Sequence, residues 1–315
     1  MRILVTRRLP EANRAVLAER FETVFRDGET GLGAEEARAA LREFDAVLPT
    51  LGDAFPAEVF EGGPFRCRLL ANFGVGVNHI AVAAARAAGV EVTNTPGAVT
   101  DATADIAMAL ILMTARRLGE GERLVRAGAW TGWEPTQMLG AHVTGMILGI
   151  VGMGRIGQAV ARRGHGGFGM RVLYWNRSAK ETEVPAERVE DLRDLLGRVD
   201  VAVLCVPGGA ATRHLIGAAE IAAMRPSAFL VNVARGDVVD EAALIEALEA
   251  RWIAGAGLDV YKGEPAVPER LRRLENAVLL PHLGTAALSV REAMGRMAID
   301  NLLALAEGRA LPNPA

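Results

Sequence analysis

The chain has 315 residues, 50% of them hydrophobic, and a formal net charge of −3. That length supports two cores more readily than one, and so small a charge, with its basic residues scattered, excludes a phosphate-tracking face for nucleic acid. The opening MRILVTRRLP holds only a short apolar run, Ile3 to Val5, and no later stretch is long and uncharged enough to span a bilayer, so neither a secretory leader nor a membrane partner is expected.

In chain order, ILVT, AVLP near Val47, LLANF near Leu70 and VEVTN near Val92 predict strands, with helical stretches such as AAAARAA between them. The run DATADIAMALILMTARR, from Asp101 to Arg117, is apolar nearly all round and predicts a helix buried between layers, at a hinge between domains. A second series follows: MILGIVG, RVLYW, VDVAVLCVP, AFLVNVA, IAGAGLDV and AVLLP, the strand count of a doubly wound dinucleotide domain. The closing stretch VREAMGRMAIDNLLALAEG predicts a helix that returns to the first domain. The fold class is α/β, with two doubly wound parallel-sheet domains, the larger a Rossmann domain inserted in the smaller. The expected boundaries are 1–98, 99–287 and 288–315. Cys67 and Cys205 lie inside apolar segments and read as free thiols of a reducing, cytoplasmic compartment.

Gly152-Met153-Gly154-Arg155-Ile156-Gly157 matches G-x-G-x-x-G. With 35 glycines in the chain, roughly 0.4 such matches arise by accident, so context must decide. This match follows the strand MILGIV and opens the helical run RIGQAVARR, which suits a pyrophosphate at a helix N-terminus. A second match, at Gly164, Gly166 and Gly169, has no strand before it and reads as a helix stop. The strand RVLYW ends in Asn176-Arg177-Ser178, where a carboxylate would otherwise bind the ribose 2′-hydroxyl of NAD. No carboxylate stands there, and Arg177 with Ser178, and more weakly Lys180, offers charge-assisted donors to a 2′-phosphate. The alternative is an exposed loop without a ligand. The reading favours NADP(H), with NAD(H) the second choice.

Three polar residues follow three predicted strands: Arg235 after AFLVNVA, Glu264 after GLDV, and His282 after AVLLP. Each alone has a structural explanation, a surface turn, a solvated loop or a capped histidine. Together they aim a guanidinium, a carboxylate and an imidazole at the crevice beyond the strand ends. Hydride addition to a 2-oxo acid makes an alkoxide beside a carboxylate, so it needs a fixed cation and a proton donor. Arg235 suits the first role and His282 the second, with Glu264 favouring the protonated imidazole at neutral pH. His165 and His214 lack partners at metal-binding spacing, so no metal is expected.

The motifs GIVGMGRIGQAVARR, FLVNVARGDVVDEAALIEAL, AGAGLDVY with Glu264-Pro265, and LLPHLGTA resemble, in order and spacing, the D-isomer-specific 2-hydroxyacid dehydrogenase family over essentially the whole chain. The resemblance places the family's catalytic trio on Arg235, Glu264 and His282. It implies cofactor contacts at Gly152, Gly154, Arg155, Ile156, Gly157, Asn176, Arg177, Ser178, Val206, Pro207, Thr212, Val233, Ala234, Asp259 and Gly284. The family's substrate loop falls on Asn72 to His79, with the N–H groups of Val75 and Gly76 implied to hold the substrate carboxylate, and Leu51 a further pocket candidate. The segment from Trp130 to Pro135, with Asn176-Arg177-Ser178, is similar to the glyoxylate/hydroxypyruvate reductase branch, which implies NADPH, a homodimer and a Trp133 that reaches the neighbouring subunit. A buried interdomain aromatic is the alternative for Trp133. Closure of two domains over the substrate is implied, hinged near 96–101 and 284–289.

Rival readings share the fold. A D-lactate, D-glycerate or phosphonate dehydrogenase using NAD keeps the same trio, and a phosphoglycerate enzyme usually carries an extra C-terminal domain. Formate oxidation does not need a proton donor. A non-enzymatic nucleotide-sensing regulator is the alternative from another class. Short-chain dehydrogenase chemistry fails because neither Tyr174 nor Tyr261 has a lysine four residues on.

Overall fold

Most strands form where the apolar runs fall, and the strands pair in parallel in both sheets. In the computed structural model, which describes residues 1–26, 28 and 30–315, the chain divides into two units, Met1–Val99 with Thr285–Ala315, and Thr100–Gly284.

The first unit runs β1 (Arg2–Val5), α1 (Glu11–Arg20), β2 (Glu22–Phe25), α2 (Ala34–Glu43), β3 (Ala46–Leu48), β4 (Leu69–Ala71), α3 (Val82–Ala87) and β5 (Glu91–Thr93). Its sheet order is β2-β1-β3-β4-β5, a doubly wound order in which the chain reverses direction beside β1. The second unit begins with α4 (Thr100–Ala115) and α5 (Leu118–Arg126). It continues β6 (Ile147–Val151), α6 (Arg155–Phe168), β7 (Arg171–Trp175), β8 (Ala186–Arg188), α7 (Leu192–Arg198) and β9 (Val201–Leu204). It closes with α8 (Ala218–Ala222), β10 (Phe229–Asn232), α9 (Glu241–Glu249), β11 (Gly255–Leu258), α10 (Glu269–Arg272) and β12 (Ala277–Leu279). The chain then returns through α11 (Leu288–Ala306), which packs on α1 and β4 of the first unit. The return falls at Gly284, whose N–H donates to Asp259 and whose carbonyl accepts from Thr103, both in the second unit.

The second sheet has the order β12-β11-β10-β9-β6-β7-β8. Counted from β6, that is the Rossmann arrangement with one added strand, and the reversal of direction lies between β6 and β9. β9, β10 and β11 are buried along their whole length, as central parallel strands covered on both faces must be.

The sequence reading places four strands in the first unit and six in the second, against five and seven among the described residues. The two missed, β2 and β8, are both at sheet edges. Their residues ETVF and AER alternate between exposed and half-buried, so they carry no apolar run to read. The second glycine match is also corrected in detail: α6 continues through Gly164, Gly166 and Gly167, and only Gly169, with φ 60°, caps it. His165 lies in that last turn with Nδ1 3.1 Å from the Met170 carbonyl, a structural contact. Among the described residues no helix is long and apolar enough to cross a membrane, and no cluster of three or more His, Cys, Asp or Glu is arranged to hold a metal ion.

Candidate active site

The turn between β6 and α6 has the shape a dinucleotide pyrophosphate requires. Gly152 sits at φ 102°, in the left-handed region, and a Cβ there would lie 2.8 Å from the Val206 backbone nitrogen. Only glycine fits this position. At Gly157 a Cβ would lie 2.3 Å from the Gly152 carbonyl oxygen, so helix and strand approach closely only without one. At Gly154, by contrast, a Cβ would meet nothing within 4 Å: the middle glycine faces open space. Gly154 is also the N-cap of α6 and supplies no side-chain acceptor. The first N–H groups of the helix, at Arg155, Ile156 and Gly157, are thus left for an external anion. The residues present fit a dinucleotide.

Beyond β7, Asn176 is half-buried and Arg177, Ser178 and Lys180 are exposed. Asn176 Nδ2 donates to the Ser178 carbonyl at 2.9 Å, which folds the turn back on itself. No carboxylate accepts from Arg177 among the described residues. Val206 is buried against the glycine turn, Pro207 is exposed beside it, and Val233 and Ala234 are buried at the end of β10. The Thr212 hydroxyl donates within its own loop to the Pro207 carbonyl at 2.7 Å.

Arg235, Glu264 and His282 follow β10, β11 and β12, which are adjacent in the sheet and parallel. His282 Nδ1 lies 2.7 Å from Glu264 Oε2, a charge-assisted pair when the imidazole is protonated. The other oxygen of Glu264, Oε1, accepts from the Tyr261 N–H at 2.9 Å. Burial pushes the Glu264 carboxyl upward, but the bonds from His282 and Tyr261, with the charges of His282 and Arg235, outweigh it and hold the group below its usual 4.5. Glu264 is therefore a carboxylate at neutral pH. Burial lowers Arg235 from its usual value, opposed by Glu264 and Asp237, yet a guanidinium stays charged throughout the physiological range. The three side chains are a cation, an anion and an imidazole whose Nε2 has no hydrogen-bond partner among the described residues.

Three residues that the sequence reading left out, or gave another role, hold this set in place. Asn232, 1% exposed at the last position of β10, accepts from the Ala234 N–H at 3.0 Å and donates to the Arg235 carbonyl at 2.9 Å. Its amide brackets the turn that presents Arg235. Tyr261 donates its hydroxyl to the Leu280 carbonyl at 2.9 Å, and its backbone so crowds Gly236 that a Cβ there would lie 1.8 Å from the Tyr261 carbonyl carbon. Asp259, read from resemblance as a cofactor contact, is 2% exposed, and its two oxygens accept from the N–H groups of Leu283 and Gly284 at 2.7 and 2.8 Å. Burial raises its pKa despite these bonds and the nearby His282. The Asp259 carbonyl accepts from the His282 N–H at 3.0 Å, fixing a histidine at φ 54°, a conformation that costs a non-glycine residue about 1 kcal/mol. A lone polar residue ending an apolar strand, as in LVN and GLD, is the sequence signal for two of the three.

In the first unit, Asn72 Nδ2 donates to the carbonyls of Gly74 and Gly76, each at 3.0 Å. The loop's carbonyls are thereby tied back, and the N–H groups of Val75 and Gly76 have no partner among the described residues, a pair of donors suited to a carboxylate. Leu51 is 46% exposed in the turn that the buried Asp53 holds through the Thr50 N–H at 2.6 Å. Trp133 is 78% exposed.

A glycine turn shaped for pyrophosphate, in the same doubly wound unit as a guanidinium and an imidazole–carboxylate pair, defines an NAD(P)-dependent dehydrogenase. Comparison with known proteins gives the family. Residues 108–284 match the model of the D-isomer specific 2-hydroxyacid dehydrogenase, NAD binding domain. A glyoxylate reductase of Thermococcus gammatolerans is 44% identical over 318 aligned residues, covering 99% of this chain and 94% of that protein. A crystal structure of a Thermus thermophilus protein superposes with a TM-score of 0.92 at 42% identity, covering all of both chains. The NADPH-dependent glyoxylate/hydroxypyruvate reductase of Sinorhizobium meliloti, solved with NADP and malonate, superposes with a TM-score of 0.88 at 36% identity, over 100% of this chain and 96% of that one. The chain belongs to the D-isomer specific 2-hydroxyacid dehydrogenase family.

Proposed function

We propose that the protein reduces glyoxylate and hydroxypyruvate to the corresponding 2-hydroxy acids, of D configuration where the product is chiral, and uses NADPH in preference to NADH. The observation that carries the reading is the 2.7 Å pair of His282 and Glu264 beside the strand that presents Arg235. Arg235 binds the 2-oxo acid through its carboxylate and carbonyl oxygen and polarises the ketone. His282 holds a proton on Nε2 and delivers it to the oxygen on which negative charge develops. Glu264 orients the imidazole from Nδ1 and stabilises its charged form. The nicotinamide cofactor supplies the hydride when bound, held by Gly152, Gly154 and the N–H groups of Arg155, Ile156 and Gly157.

Selection of NADPH rests on Arg177 and Ser178, which stand where an NAD enzyme places a carboxylate. The names of the Thermococcus and Sinorhizobium relatives agree with the substrate class, and the Sinorhizobium enzyme is named for NADPH. We further assign a homodimer, supported by the exposed apolar side chains Leu118, Val125, Trp130, Trp133 and Leu139. The free thiols Cys67 and Cys205 suit a reducing, cytoplasmic setting.

A steady-state panel of glyoxylate, hydroxypyruvate, pyruvate and 2-oxoglutarate against NADPH and NADH tests the assignment. The expected result is the highest kcat/KM for the two shortest polar 2-oxo acids with NADPH. Consumption of neither cofactor with any of the four acids overturns it.

A further inference from the structure

The loop that carries the cofactor-selecting side chains is closed by a tyrosine outside the proposed ligand contacts. Tyr174, on β7 and 3% exposed, meets Lys180 twice: its hydroxyl accepts from the Lys180 N–H at 3.2 Å and lies 3.3 Å from the Lys180 carbonyl, to which it donates. Inside the loop so closed, Asn176 Nδ2 donates to the Ser178 carbonyl at 2.9 Å. From the edge strand β8, where Arg188 is the register partner of Tyr174, Arg188 Nη2 donates to the Asn176 carbonyl at 3.4 Å.

The carbonyls of Asn176, Ser178 and Lys180 are therefore all turned toward protein donors. The side chains of Arg177 and Lys180 are exposed, and neither has a hydrogen-bond or ion-pair partner among the described residues. A loop held in this shape keeps its cations outward and its own acceptors away from an arriving anion. Shaping of this kind stabilises a complex by lowering the ordering cost of binding, and it helps only a ligand that uses the loop.

We propose that Tyr174 is a positioning residue for cofactor selection: its hydroxyl preorganises the 176–180 loop for the 2′-phosphate of NADPH without touching the dinucleotide. The inference rests on the reading of Arg177 and Ser178 as the 2′-phosphate site. Its consequence is asymmetric, because a ribose 2′-hydroxyl makes no demand on the loop cations.

Calorimetric titration of the intact protein with adenosine 2′,5′-bisphosphate and with adenosine 5′-monophosphate, probes that differ only in the 2′-phosphate, tests it. Tyr174→Phe keeps the buried ring and removes only the hydroxyl. The expected result is a bisphosphate affinity about three- to tenfold weaker, the range of one or two neutral hydrogen bonds, with monophosphate affinity unchanged. In an Arg177→Ala background the same substitution is expected to add no further loss, since it then shapes a loop without its main cation. Equal weakening of both probes, no weakening of either, or an undiminished effect without Arg177 overturns the role of Tyr174 alone. If the wild-type protein binds the two probes equally, the 2′-phosphate site itself is wrong and the inference falls with it.

Discussion

Replacing Glu264 with glutamine isolates what its charge does. Both oxygens of Glu264 act as acceptors, Oε2 toward His282 Nδ1 at 2.7 Å and Oε1 toward the Tyr261 N–H at 2.9 Å. Glutamine has one acceptor and one donor end, so it satisfies only one of them. If its oxygen faces His282, its NH2 opposes the Tyr261 N–H. If its oxygen faces Tyr261, its NH2 demands an unprotonated Nδ1 and selects the neutral imidazole with its proton on Nε2, a far weaker acid toward an alkoxide than the imidazolium. A hydrogen bond between charged groups contributes about 1.5–3 kcal/mol, and the side chains of His282 and Glu264 are 28% and 29% exposed, so water screens part of it. The lower half of that range, about 1.5–2 kcal/mol, corresponds to a roughly ten- to thirtyfold fall in kcat. Glu264→Gln is expected to show that fall with glyoxylate and NADPH, and an unchanged dissociation constant for NADPH. The pH dependence follows with a definite sign. Because the carboxyl is held below 4.5 in the folded protein, its contribution is complete above the unfolded value and is lost as pH falls through the lower folded one. The wild type is expected to lose activity on that acid limb, and the variant to lack this component of it. A variant with wild-type kcat and an unaltered acid limb refutes the reasoning.

Other substitutions probe the surrounding scaffold. Arg177→Ala is expected to weaken NADPH binding by about 1.5–3 kcal/mol while leaving NADH nearly unaffected, read by direct titration; equal losses count against a 2′-phosphate contact. Gly236→Ala puts a methyl 1.8 Å from the Tyr261 carbonyl carbon, where two backbones must part. We expect a stability loss of at least about 1–3 kcal/mol and a raised KM for the 2-oxo acid, checked by denaturant unfolding and kinetics. Asn232→Ala is expected to lower kcat/KM about tenfold through Arg235, so in an Arg235→Ala background it should cost almost nothing more; full additivity in that double-mutant cycle shows that Asn232 acts elsewhere.

Legibility followed burial. The central strands β9, β10 and β11 stood out as unbroken apolar runs because both faces of a central parallel strand are covered, whereas β2 and β8, short edge strands that alternate between exposed and half-buried positions, did not. The trio was readable because each member lies a few residues past an apolar strand, and the parallel order of β10, β11 and β12 turns sequence position into spatial convergence. What holds the trio was harder to see. Asn232 and Asp259 each close an apolar strand with a polar side chain whose partners lie two to twenty-five residues away, and nothing local names those partners. Tyr174 reads as one more apolar strand residue until the fold of the 176–180 loop brings Lys180 to its hydroxyl. Thr212 shows the converse: a position carried over by resemblance spends its hydroxyl on its own loop.

The most direct measurement is single-turnover reduction of glyoxylate by His282→Ala, saturated with NADPH and compared with the wild type. With the proton donor gone and the dinucleotide turn intact, the hydride-transfer step is expected to slow by about 10² or more, at an unchanged dissociation constant for NADPH. A step as fast as in the wild type would show that the imidazole after β12 is not the acid that completes this reduction.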